Sequence, residues 1–161
     1  MSLHSIRDIH LIDASWIYEA CQDEQIQFWT TIPKPYSMEN ALAFVRGELP
    51  EYKIWVIEER GERPVGLISI HTVDDSGSAD IGYWVAPWGR GKGAAKNAIE
   101  LVARYARQDP KIHSLTACIS DENLPSQKVA VSAGLLRAES ACRTCVAGER
   151  ETSATIYRMA L

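Results

Sequence analysis

The stretch Asp80–Arg107, DIGYWVAPWGRGKGAAKNAIELVARYAR, decides the fold. Ile81 to Val85 is β-branched and aromatic, the composition of a pleated strand. Pro87 ends that strand, since proline donates nothing to a sheet ladder. Gly89-Arg90-Gly91-Lys92-Gly93-Ala94 follows as a turn. Beyond it Ala94, Ala98, Leu101, Val102 and Tyr105 recur at helical spacing, while Lys96, Asn97, Glu100, Arg104 and Arg107 take the other faces. Glycines ahead of a helix let backbone N–H groups face outward and let a ligand come close. The first helical turn carries unpaired N–H groups and a partial positive charge, so this junction is an anion site suited to phosphate. Arg90 and Lys92 add formal charge to it. A plain connecting turn is the competing reading.

Three phosphate motifs can be weighed against these residues. A Walker A loop requires glycine where Ala86 stands and Ser or Thr where Gly93 stands, so it fails. A dinucleotide fingerprint fits Gly89, Gly91 and Ala94 literally. It also needs a parallel βαβ unit and an acidic residue roughly twenty positions on, and Asp109 is too near. An acyl-coenzyme A loop remains.

Here the chain resembles the GCN5-related N-acetyltransferase superfamily, whose pyrophosphate motif is Gln/Arg-x-x-Gly-x-Gly/Ala. Gly91 and Gly93 match the two small positions. Trp88 replaces Gln or Arg, a departure shared by the branch resembling ribosomal-protein N-terminal acetyltransferases, which also carries I-G-Y-W before its loop. Asn123-x-x-Ser126 followed by Gly134-Leu135 resembles a second block of that branch. The resemblance covers most of the chain; the first fifty residues match only in outline.

At 161 residues the chain is expected to form one domain, residues 1–161, with its own core. A net charge of −4 without a basic stripe argues against a nucleic-acid binder. No apolar run reaches membrane-span length and no secretory signal opens the chain, so a cytoplasmic location is expected. Cys142-x-x-Cys145 lies in a strand, where positions three apart face opposite sides, so no metal site is expected. His4, His10, His71 and His113 show no ligand spacing.

The rest of the chain supports a mixed sheet. Ser5–Leu11 reads as a strand, then helices follow, capped by Asp13 or Ser15 and by Ser37, with a short one over Asp23–Trp29. The helix after Ser37 carries Ala41, Leu42, Val45 and Leu49. Strands are expected at Tyr52–Glu58, Pro64–Val73, Ala79–Val85, Ile112–Ile119, Leu135–Ala147 and Thr152–Met159. Short turns give antiparallel hairpins, while the crossover through Ala94–Arg107 makes Ala79–Val85 and Ile112–Ile119 parallel. Asn123 or Asp121 caps a helix that ends at Gly134. The fold class is α/β (α+β): one twisted, mostly antiparallel sheet with helices on both faces.

The resemblance then implies a function. Coenzyme A would lie between splayed parallel strands, bonding to the backbone of Trp84 and Val85, with its pyrophosphate over Arg90, Gly91, Lys92, Gly93 and Ala94. Asn123 would hold the pantetheine arm, or serve only as a helix cap. Acetyl transfer to a primary amine would proceed directly, without an acyl-enzyme. The family's usual tyrosine proton donor falls at Ala130, so Ser126 is the candidate contact for the departing thiolate. Asp80 is the candidate base, against a plain strand-end acid. Trp29, Ile32, Tyr36 and Tyr83 are candidate acceptor contacts, and the first three serve equally as core aromatics and aliphatics. Alternation puts Asp80, Gly82 and Trp84 on one strand face and Tyr83 on the other unless a bulge intervenes. The acceptor is expected to be a protein N-terminus or a small-molecule amine. A coenzyme A-binding module without catalysis is the alternative, and a second copy pairing on a sheet edge is open.

Overall fold

A computed structural model describes residues 2–61 and 63–161, the side chains of 139–142 excepted. The Cys142 thiol therefore lies outside the described residues. The chain folds as β1 His4–Asp8, α1 Ala14–Ala20, α2 Glu24–Trp29, α3 Met38–Val45, β2 Lys53–Glu59, β3 Arg63–Val73, β4 Ser78–Val85, α4 Ala94–Ala106, β5 Ser114–Ser120, α5 Leu124–Ser132, β6 Leu136–Ala147 and β7 Arg150–Ala160. Among the described residues the strands form one sheet in the order β1-β2-β3-β4-β5-β7-β6. Every neighbouring pair is antiparallel except β4 with β5. The expected mixed sheet and its single parallel pair are both present.

Strand alternation sorts the core into two layers. Ile57, Ile68, Ile70 and Ile81 face α4 and α5, where Ile99, Val102, Ala130 and Leu135 meet them. Val56 and Leu67 face the other way, against Ile17, Ala41 and Val45 of α1 and α3. Ile99 and Val102 are fully buried; burying each contributes roughly 1.5–3 kcal/mol relative to exposure. Ile99 and Ala103 complete the buried face of α4, whereas Tyr105 lies at its margin, edge-on to Trp55 at 4.9 Å.

Several boundaries differ from the sequence reading by one or more residues, β5 beginning at Ser114 among them. β1 stops at Asp8 and Leu11–Asp13 forms a 3₁₀ turn. The cause is the Asp13 carboxylate, which accepts the His10 N–H at 2.8 Å and folds the chain back. α3 ends at Val45 instead of reaching Leu49, because Gly47 takes φ +73°. β7 extends to Ala160, held by the whole length of β5.

The feature that positions a site is the parallel pair. β4 and β5 are registered at only three positions: Ser78 with Ser114, Ala79 with Leu115, Asp80 with Thr116. Both strands continue beyond these, so Ile81–Val85 and Ala117–Ser120 diverge. Backbone groups along the opening lose their ladder partners and are left for a ligand.

Candidate active site

The glycine turn and α4 form one end of the site. Gly91 and Gly93 both take φ +77°, and Gly93 is the N-cap of α4. A Cβ at Gly93 would meet nothing within 4 Å, so the requirement is conformational. A left-handed residue with a side chain costs roughly 1–2 kcal/mol. No side chain caps α4, so the N–H groups of its first turn are free of a local acceptor. The turn is pinned from behind by Trp88, whose Nε1 donates to the Pro64 carbonyl at 2.9 Å. Arg90 pairs with Asp23, the residue that caps α2. Lys92 reaches Glu59 at 2.8 Å. Both cations thus hold neighbouring carboxylates, which an incoming anion would have to compete with.

From this turn a cleft of about 890 Å³ runs along the open strand pair to the front helices. Arg90, Gly91, Gly93 and Ala94 line its mouth; Trp84 and Val85 line the β4 side; Ala117 and Ile119 line the β5 side. Lys92 lies outside the lining, turned towards Glu59. The dimensions suit an extended acyl carrier, and the residues present fit coenzyme A: outward helix amides, an opened ladder and a long apolar trough.

Asn123 and Ser126 stand on the same wall, at the start of α5. Asn123 Oδ1 accepts the Ser126 N–H at 3.2 Å, the expected cap. Its Nδ2 makes no hydrogen bond among the described residues, and Asn123 is part of the cleft lining. Ser126 Oγ donates to the Tyr83 hydroxyl at 3.1 Å, and that hydroxyl donates to the Ser126 carbonyl at 3.0 Å. Burial pushes the Tyr83 hydroxyl up to about 12, against the opposing pull of Ser126. Tyr83 therefore stays protonated and serves as a hydrogen-bond donor near neutral pH. Ala130 is buried completely and offers no such group.

The front wall carries Trp29, Ile32 and Tyr36. Trp29 and Ile32 are half-buried, with Phe28 packed edge-on against Trp29 at 4.6 Å. Tyr36 is buried within the α1–α3 core and linked to Cys21, so it serves packing as well as lining. Burial pushes the Cys21 thiol up to about 12, which leaves it unreactive. Trp84 packs against Trp16 at 5.8 Å, tying β4 to α1.

Asp80 sits at the last registered position of the parallel pair and is not on the cleft wall. Burial raises its pKa, with the His71 charge opposing. His71 and Glu51 do line the cleft, and neither is among the residues singled out from the sequence. The β3–β4 register shifts between Ile70 and Thr72, so His71 is the extra residue of a bulge. The bulge thus lies in β3 and not in the Asp80–Val85 strand. Glu51 Oε2 lies 2.7 Å from His71 Nδ1. The sequence held one hint: Gly82 inside a strand marks a close approach. A Cβ on Gly82 would sit 2.2 Å from His71 Nε2.

Comparison with known proteins places this geometry in context. The family model of the acetyltransferase (GNAT) domain matches residues 5–136. An uncharacterised N-acetyltransferase of Bacillus subtilis (strain 168), YnaD, is 27% identical over 136 residues, covering 82% of this chain and 78% of its own. Among solved structures, the microcin C7 self-immunity acetyltransferase MccE, in complex with acetyl-CoA and AMP, superposes with a TM-score of 0.85 at 18% identity, covering 100% of this chain and 94% of its own. RimL, a ribosomal L7/L12 alpha-N-protein acetyltransferase in complex with coenzyme A, gives a TM-score of 0.85 at 14% identity, with 100% and 96% covered. At those identities the two structures establish a shared fold.

Proposed function

The chain belongs to the GNAT acetyltransferase family, and on that premise we propose that it transfers an acetyl group from acetyl-coenzyme A to a primary amine, by direct attack within a ternary complex. The observation that carries the reading is the continuous cleft. It joins the glycine turn at the head of α4, the opened β4–β5 pair and the front helices.

In this reading the first-turn amides of α4 and Arg90 hold the pyrophosphate, Lys92 adds charge from outside, and the Trp84 and Val85 backbone takes the pantetheine amides. The carrier supplies an activated acyl group as a thioester. Asn123 Nδ2 donates to its arm. Ser126 turns its hydroxyl proton from Tyr83 to the sulfur as negative charge develops there, its oxygen then accepting from the Tyr83 hydroxyl. Such a donor acts most strongly where charge appears only in the transition state. Trp29, Ile32 and Tyr36 shape the acceptor side. Asp80 adds negative charge behind it without reaching the cleft.

The acceptor is an N-terminal α-amine of a protein or a small-molecule amine. An α-amine is chemically favoured, since its pKa near 8 leaves far more neutral nucleophile at pH 7 than a lysine at about 10.4. The complex cosubstrates of MccE and RimL support the acetyl donor. No described helix is long and apolar enough to cross a membrane. The outer strand β6 presents a ladder edge to which a second copy can pair.

Thermal unfolding with acetyl-coenzyme A, coenzyme A and NADH tests the pocket. A ligand that binds only the folded chain stabilises it by about 2.7 kcal/mol at a hundredfold excess over Kd. Both coenzyme A species should raise the midpoint and NADH should not. The absence of any coenzyme A shift at saturation would refute the assignment of the cleft.

A further inference from the structure

We propose that the imidazole of His71, oriented by Glu51, is the general base that takes the proton from the attacking amine. The inference rests on the acetyl-transfer reading above and adds to it a base on the cleft wall.

Four independent features converge on this ring. His71 follows Leu67 and Ser69 on the cleft-facing side of β3, at a bulge of the kind often found beside active sites. Gly82 leaves the ring room to lie over β4, where a methyl group would collide with Nε2. Gly82 is the second residue beyond the last registered pair of β4 with β5, so the ring overlies the point at which the cleft opens. Glu51, 19% exposed, lies 2.7 Å from Nδ1 and accepts a hydrogen bond from a proton held there, while the His71 side chain keeps 42% exposure. Fixing the proton on Nδ1 leaves the Nε2 lone pair as the acceptor. A side chain that is oriented by a carboxylate and open to the cleft has the geometry asked of a base.

The step balances simply. The amine nitrogen forms its bond to the acetyl carbon while the carbon–sulfur bond breaks. The amine proton passes to Nε2, giving an imidazolium paired with Glu51. The thiolate leaves against the Ser126 hydroxyl and is protonated by solvent on release, and the imidazolium returns its proton to solvent.

The charged surroundings set the pH dependence. Glu51 faces the ring from the segment before β2, and Asp80 faces it from β4. Arg143 on β6 acts on Asp80, and the Cys118 thiol of β5 lies beside that carboxyl. The hydrogen bond to Glu51 raises the His71 pKa, outweighing the burial that would lower it. The base works as neutral imidazole, so kcat/KM rises with pH through that raised value. Removing the Glu51 charge lowers it and moves the acid limb to lower pH.

The test uses the full chain, acetyl-coenzyme A and two acceptors, a short peptide with a free α-amine and an alkyl diamine. His71→Gln should lose about a hundredfold or more in kcat, the usual scale for general-base catalysis. Its coenzyme A-induced thermal shift should match the wild type. Glu51→Gln should keep measurable turnover with its acid limb displaced to lower pH, a readout that also carries the test if His71→Gln folds poorly. A His71→Gln enzyme with the wild-type rate and acid limb would overturn the base assignment alone. A wild-type chain that binds coenzyme A yet acetylates neither amine would overturn the acetyl-transfer reading, and this inference with it.

Discussion

Asp13 shows how much one buried carboxylate can organise. Arg7 grips it through two hydrogen bonds of 2.8 Å, and Trp16 Nε1 and the His10 N–H complete the set. Burial alone would raise its pKa, but these donors outweigh that and hold it below the usual aspartate range. A depressed folded value stabilises the chain fully above the unfolded pKa near 3.9 and is lost as pH falls below it towards the folded value. Asp13→Asn should flatten the acid limb of the stability curve. Asp13→Ala should cost about 3 kcal/mol, the scale for breaking a buried pair from one side, read by chemical denaturation at pH 7. From sequence Asp13 is a candidate cap, and it does occupy the N-cap position without making the cap bond. Its partners lie within six residues, in β1, the turn and α1, but they converge only once the chain folds back on itself between β1 and α1. At the site, Ser126→Ala should lower kcat several-fold while leaving KM for acetyl-coenzyme A nearly unchanged, as expected of a donor that acts mainly in the transition state. A rise in KM alone would make Ser126 a binding group instead.

At the level of elements, the strand–turn–helix unit was legible because its signals are local. Pro87 stops β4, Gly93 supplies a left-handed cap, and Ala94, Ala98 and Val102 mark the buried face of α4, which Ile99, Ala103 and Ala106 complete while Leu101 and Tyr105 lie at its margin. Gly93→Ala should destabilise by about 1 kcal/mol from backbone strain and raise KM for acetyl-coenzyme A. Asn123→Ala should likewise cost about 1 kcal/mol as a lost cap. It should also weaken coenzyme A binding, separable by comparing thermal shifts with and without ligand. A Ser replacement that restores stability but not affinity would distinguish the two roles. The acceptor side of the site was less legible. His71 meets it where β3 bulges against Gly82 of β4, and Glu51 sits in the segment leading into β2. Both depend on cross-strand register, which no single stretch specifies. Gly82→Ala should displace the His71 ring and lower kcat, with acetyl-coenzyme A binding retained.

Over the whole molecule, the cleft lies between two packing layers that share one sheet. The α4–α5 layer supplies the anion turn, Asn123 and Ser126; the α1–α3 layer supplies the aromatic front. Arg90–Asp23 and Trp16–Trp84 link the front helices to the β4 side and its glycine turn, so the two ends of the site are held in one frame. Such a frame serves a reaction whose barrier depends on bringing two substrates together. The most direct measurement is mass spectrometry of acceptor amines incubated with the chain and acetyl-coenzyme A, with thiol release followed in parallel. An acetylated amine should form at the rate at which free coenzyme A appears, and both should be lost in His71→Gln. Coenzyme A binding without any acetylated product across peptide, polyamine and amino-sugar acceptors would contradict it and mark the chain as a coenzyme A-binding module.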